Sequence, residues 1–91
     1  MSPLESSITD VKEAIRQFIL ATYLPGESSE NLRDDTPLRT SRILDSLATL
    51  GVVEFVERRF GIELAAYETD VQTFDRIEDI AALVIRKRSG G

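Results

Sequence analysis

The chain has no cysteine and no histidine. Without cysteine there is no disulfide framework, no thiolate metal site and no thiol nucleophile. Without histidine the commonest general base near neutral pH and the commonest metal ligand are missing. Positive charge is scarce as well: 11 Lys and Arg stand against 16 Asp and Glu, for a net charge of −5. That balance argues against a nucleic-acid partner, since such binding is driven largely by cation–phosphate contacts. No apolar run approaches the ~20 residues that a bilayer span needs, so no membrane span is expected. The first seven residues lack the basic and apolar layout of a signal peptide, and a cytoplasmic location is the default expectation. There is no internal repeat and no low-complexity tract.

What remains is a small helical pattern. Ninety-one residues, of which 42% are apolar, make one domain near the lower end of sizes that fold on a single core. Residues 1–91 are read as that one domain, with 1–7 and 89–91 as flexible ends, and a monomer is expected. Ile8, Val11, Ile15, Phe18 and Thr22 fall at helical steps of three or four. Ser7 or Thr9 is a candidate cap, and Pro25-Gly26 ends this helix. Residues 27–44 read as a long loop rich in turn chemistry (Ser28-Ser29, Asp34-Asp35, Thr36-Pro37). A structureless loop of that length is uncommon in a compact domain and is often functional. Leu32, Leu38, Ile43 and Leu44 are expected to pin it to the core.

A second helix is expected over residues 46–60, with Leu50, Val53, Val56 and Phe60 on its buried face and Leu47 and Val52 flanking. Gly61 is a natural terminator. Gly51 inside this helix should cost about 1 kcal/mol relative to alanine. It marks either close helix packing or a shallow spot for a partner. Residues 62–73 read as a connection with one short turn at Glu68-Thr69-Asp70. The last helix is expected to start at Asp75, paired with Glu78 in a capping-box arrangement, and to bury Ile77, Ile80, Ala81 and Val84. Arg86-Lys87-Arg88 suit the negative end of that helix. The fold class is all-α.

Ser46 is the residue with the most chemical interest. With Asp45 before it as N-cap, a serine in the first turn is ordinary capping chemistry. It is also a hydroxyl at the positive end of a helix, where an attached phosphodiester would be favoured. Nothing in the chain offers the imidazole that would activate it as a catalytic nucleophile. If Ser46 is functional, it is modified rather than catalytic. Asp34, Asp35 and Asp45 lie close in sequence but show no acid/base spacing that supports an enzyme.

Asp45-Ser46-Leu47, with the long loop before it and Glu57-Arg58-Arg59-Phe60-Gly61-Ile62 after it, resembles an acyl carrier protein. The resemblance runs from about Ile8 to Val84. It implies a four-helix bundle of three main helices and a short third helix, suited to residues 68–72. It implies that Ser46, with Asp45 as its motif neighbour, receives a 4′-phosphopantetheine arm from a phosphopantetheinyl transferase. The arm's thiol would carry an acyl or aminoacyl group between a loading ligase and downstream biosynthetic enzymes. The missing Cys and His then have a reason, because the reactive thiol is imported. Arg42-Ile43-Leu44 before the motif, and Ala48, Gly51, Arg58 and Arg59 after it, depart from housekeeping fatty-acid carriers. The sequence is more similar there to discrete carriers of aminoacyl groups and of specialised pathways.

The partner face, read from charge and expected exposure, comprises Leu47, Gly51, Glu54, Glu57 and Arg58. Glu54 and Glu57 would accept from cations on client enzymes, or are simply a solvated helix face. Two alternatives remain: a small acidic helical adaptor with no prosthetic group, in which Ser46 only caps a helix, and a housekeeping fatty-acid carrier.

Overall fold

The computed structural model describes residues 8–90, with side chains to Arg88. The Ser7 cap, residues 1–7 and Gly91 lie outside the described residues. Among the described residues three α-helices form a small bundle: α1 (Ile8–Tyr23), α2 (Ser46–Phe60) and α3 (Ile77–Gly90), with α1 packed on both others. Among the described residues there is no strand, and no helix is long and apolar enough to cross a membrane. Helix α3 runs on through Ser89 and Gly90, where the sequence suggested a frayed end.

Helix α1 buries Val11, Ile15 and Ile19 completely, along a ridge of steps of four. Phe18 is partly buried against the same core. Ile8 and Thr22, expected on this stripe, are exposed. They share its face but lie in the first and last turns of the helix. Leu20 points elsewhere and is buried where the chain turns back at Gly26, whose φ is +89°. A 3₁₀ turn at Ser29–Asn31 then lies against α1.

Helix α3 matches its pattern. Ile77, Ile80, Ala81 and Val84 are fully buried, and Leu83 joins them. Helix α2 matches in part: Val56 is buried, and Val53 and Phe60 are partly buried against the core. Its buried residues are Ala48, Thr49, Val52 and Val56, while Leu50 is 61% exposed. The helix is turned so that Thr49, not Leu50, faces inward. Thr49 tolerates burial because its hydroxyl donates to the Asp45 carbonyl at 2.8 Å, leaving no unsatisfied polar group. Gly61 ends α2 as expected, in the left-handed region at φ +68°, with its N–H donated to Glu57 O.

The short third helix expected over residues 68–72 is instead one 3₁₀ turn at Ala66–Thr69. Glu68 holds it, accepting from Ala65 N at 2.8 Å and from Lys87 Nζ at 3.0 Å. Those two bonds, the backbone one first, keep the Glu68 carboxyl below its ordinary range.

The long loop is tied down at two places. Leu32, Leu38 and Leu44 are buried and Ile43 partly so, as the pattern suggested. Near the first, Asp34 accepts from Lys12 at 3.1 Å and from Arg16, and its carbonyl accepts from Glu78 N at 3.1 Å. At the second, Asp75 departs from the capping role expected of it. Its carboxylate turns away from α3 and accepts from Arg39 N at 2.7 Å, Thr40 N at 3.2 Å and the Thr40 hydroxyl at 3.1 Å. Phe74 beside it is fully buried.

Burial alone would raise the Asp34 and Asp75 carboxyls. The Lys12 and Arg16 bonds to Asp34, and the loop N–H and hydroxyl groups on Asp75, outweigh it and hold both below the ordinary value of 3.8. The unfolded chain therefore binds more protons than the folded one as pH drops through that range. The stability these two groups contribute should be fully present above their ordinary pKa and lost as pH falls through the depressed one. Urea midpoints measured from pH 7 downward should show wild type falling toward Asp34→Asn at the acid end. A gap that stays constant with pH would contradict this.

Candidate functional site

The approach to α2 is built before the helix begins. Residues 38–44 form a ring closed by Leu44 N donating to Leu38 O at 2.8 Å, and Arg42 N donates to Arg39 O at 3.1 Å inside it. Arg42 sits at φ +69°. A non-glycine residue in that region costs about 1–2 kcal/mol, so the surrounding bonds must impose it. The chain leaves this ring at Leu44, buried, and steps out to Asp45.

Asp45 is extended (φ −85°, ψ −172°), and its carboxylate accepts from Ala48 N at 2.8 Å. Its carbonyl accepts from Thr49 N at 2.9 Å. Asp45 is thus the N-cap, and Ser46 is the first helical residue. The Ser46 side chain is exposed, and its hydroxyl enters no hydrogen bond among the described residues. The first turn of α2 carries no acid after the cap, so the positive end of the helix is open to an anion at Ser46.

The surroundings of Ser46 are mixed. A surface hollow of about 410 Å³ beside it is lined by Tyr23, Arg42, Ile43, Asp45, Leu47 and Ala48. Leu47 is 66% exposed and Leu50 61%. Three residues apart on a helix, they make one apolar strip beside the hydroxyl. Glu54 and Arg58 continue the same side at steps of four and are exposed.

Not every residue expected on the partner face is free. Glu57 is half-buried, and its carboxylate accepts from Leu64 N at 2.9 Å. It helps to fasten the chain after Gly61. Gly51 lies under Tyr23, whose hydroxyl occupies the space a Cβ would take. That favours the close-packing account of this glycine over a shallow docking spot. Tyr23 in turn meets Phe18 edge-on at 5.9 Å, and Phe18 stacks on Phe55 at 4.3 Å.

The sequence pattern does not place Tyr23 or Leu50 beside Ser46. Helical spacing groups Leu50 with Val53, Val56 and Phe60 on the buried face. The signal against that was Thr49 four residues after a capping Asp. The acids do not converge: Asp34 is held by Lys12 and Arg16, Asp35 faces Arg33 at 4.0 Å, and Asp45 is a cap.

No protein-family model matches the chain, and no curated protein matches it.

The division of labour between Asp45 and Ser46 can be measured. Asp45→Ala should lower unfolding stability by about 1 kcal/mol through loss of the cap. Ser46→Ala should change it by less than about 0.5 kcal/mol, as for an exposed group without partners. Urea unfolding of the two variants decides. A larger loss in Ser46→Ala would mean that the hydroxyl is structural.

Proposed function

We propose that this protein is a discrete carrier whose Ser46 hydroxyl bears a 4′-phosphopantetheine arm. The observation that carries the proposal is the spare hydroxyl. Asp45 does the capping, and Ser46 is left exposed at the first position of α2. The sequence around it, Asp45-Ser46-Leu47 followed by Phe60-Gly61-Ile62, resembles that of acyl carrier proteins.

The residues present suit the group. The phosphodiester would lie against the open N–H groups at the start of α2, where the helix dipole favours negative charge. The arm supplies a thiol that holds an acyl or aminoacyl group as a thioester. Among the described residues no group is bonded to the Ser46 hydroxyl to take its proton, so the base would come from the transferase. Leu47 and Leu50 offer an apolar strip to that enzyme and to loading or biosynthetic enzymes, with Glu54 and Arg58 as charged contacts farther along.

The same exposed strip would also serve an adaptor with no prosthetic group. Incubation with a phosphopantetheinyl transferase and coenzyme A separates the two. Wild type should gain the mass of the arm by intact-protein mass spectrometry, and Ser46→Ala should not. In the same assay Leu47→Ala should raise KM while leaving the melting temperature unchanged. A wild-type protein that stays unmodified, or an alanine variant that is modified, rules out the carrier assignment.

For the cargo, we favour a small or polar acyl or aminoacyl group over a long fatty chain. The core side chains Val52, Val56, Ile77, Ile80 and Val84 are fully buried, and a close-packed interior admits a chain only by displacing something. The Gly51 notch is filled by Tyr23. The hollow beside Ser46 carries both Arg42 and Asp45. Amide shifts of octanoyl- and aminoacyl-loaded protein test this. Octanoyl should leave the shifts of Val52, Val56 and Ile80 in place. Large shifts there with octanoyl alone would point to a fatty-acyl carrier.

A further inference from the structure

We propose that Asp75 is a positioning residue for Ser46, acting from the far end of the chain through the loop that precedes α2. The proposal rests on Ser46 being the modified residue. Asp75 lies two positions before α3, one residue short of the position from which a side chain caps its own helix. Here it is buried, at 8% exposure, and its bonds go to residues 35 and 36 positions earlier. One carboxylate oxygen takes the N–H groups of both Arg39 and Thr40, and the other takes the Thr40 hydroxyl. The Asp75 carbonyl takes Leu38 N at 2.6 Å.

These bonds clamp the base of the ring that delivers the chain to α2. Leu38, held by the Asp75 carbonyl, closes the ring by accepting from Leu44 N. Leu44 is covalently next to Asp45, which caps α2 and sets Ser46 as its first residue. Arg39 adds a further tie, donating to Thr69 O at 2.6 Å. The left-handed Arg42 lies inside the ring, and the clamp is what holds that unfavourable turn in place. The path from carboxylate to hydroxyl is therefore Asp75, residues 38–40, Leu44, Asp45, Ser46. It is made of hydrogen bonds and one short stretch of chain. A buried carboxylate stripped of these donors would be left unsatisfied at high cost, so the loop cannot drift away from α3 freely.

The test uses the full chain with Asp75→Ala, Asp75→Asn and Thr40→Val. Asparagine keeps an oxygen for the two N–H groups and an amide that can donate to the Thr40 hydroxyl, so it should behave nearly as wild type. Alanine should speed hydrogen exchange at Ala48 and Thr49 about tenfold, the size expected when hydrogen bonds to a buried charged group are lost. It should also raise the transferase KM for the carrier, at a temperature where melts show the variant fully folded. Thr40→Val removes one bond and should move both readouts the same way by less; it stands in if Asp75→Ala does not fold. A folded Asp75→Ala protein with a lower melting temperature but wild-type exchange at Ala48 and Thr49, or wild-type KM, would reduce Asp75 to a stability residue and overturn the proposal. If wild type is not modified at all, the Ser46 assignment fails. The exchange data alone then decide whether Asp75 holds the start of α2.

Discussion

The buried carboxylate of Asp75 is the joint on which the arrangement of this small bundle turns. Taking a carboxylate out of water costs several kcal/mol unless its oxygens are satisfied. Here they are satisfied by the loop before α2, not by the helix that follows them. The start of α3 and the approach to α2 become one unit as a result. The other end of the loop is tied to the same place, since Glu78 N in the first turn of α3 donates to Asp34 O. Asp34 in turn reaches α1 through Lys12 and Arg16. Residues 75–78, at the entry to α3, thus organise a loop that would otherwise be long and loose. The 91-residue chain has few core residues to spare for that task.

Much of the fold was legible because it follows local periodicity. The stripe of α3, the stops at Pro25-Gly26 and Gly61, and the anchoring of the loop by Leu32, Leu38 and Leu44 all depend on residue type and spacing. The site was legible in part, since a capping Asp beside a serine says which residue caps and which hydroxyl is left over. The role of Asp75 was not, because a capping box is a local rule and its actual donors lie more than thirty positions away. Phe74, fully buried, falls between the connection read over residues 62–73 and the helix expected from Asp75, so no periodic stripe claims it. The rotation of α2 was hidden because hydrophobicity ranks Leu50 above Thr49. It does not register that a threonine can satisfy its own hydroxyl on the carbonyl four residues back.

That rotation has an identifiable cause. On one side α2 is held by Tyr23 seated on Gly51 and by Phe18 stacked on Phe55. Phe55 continues edge-on to Phe60 at 6.3 Å, and the Arg88 guanidinium lies 6.0 Å over that ring. The aromatic series runs from the hollow beside Ser46 to the far end of α3. Turning Leu50 inward would need a rotation of roughly one residue, about 100°, which would pull Gly51 from Tyr23 and Phe55 from Phe18. The glycine that costs helix propensity is what lets the tyrosine approach so closely.

The bundle accepts a loss for this arrangement. Burying a leucine is worth about 1.5–3 kcal/mol, and α2 leaves two of them, Leu47 and Leu50, mostly in water. In a domain whose total stability is expected to be about 5–15 kcal/mol, that is a substantial fraction forgone on one helix face. Scattered exposed leucines need no explanation, but these two are adjacent on one helix and lie beside the Ser46 hydroxyl that capping leaves spare. A carrier in the proposed sense has no catalytic groups of its own and must be approached by every enzyme that serves it. Its specificity then has to reside in a surface, and an apolar strip beside the attachment point is the surface that would be desolvated at each encounter. The same strip inside the core would add stability and leave a partner only charged groups to bind. The aromatic contacts of Tyr23 and Phe18 therefore do two things at once: they hold α1 to α2, and they keep Leu47 and Leu50 turned outward beside Ser46.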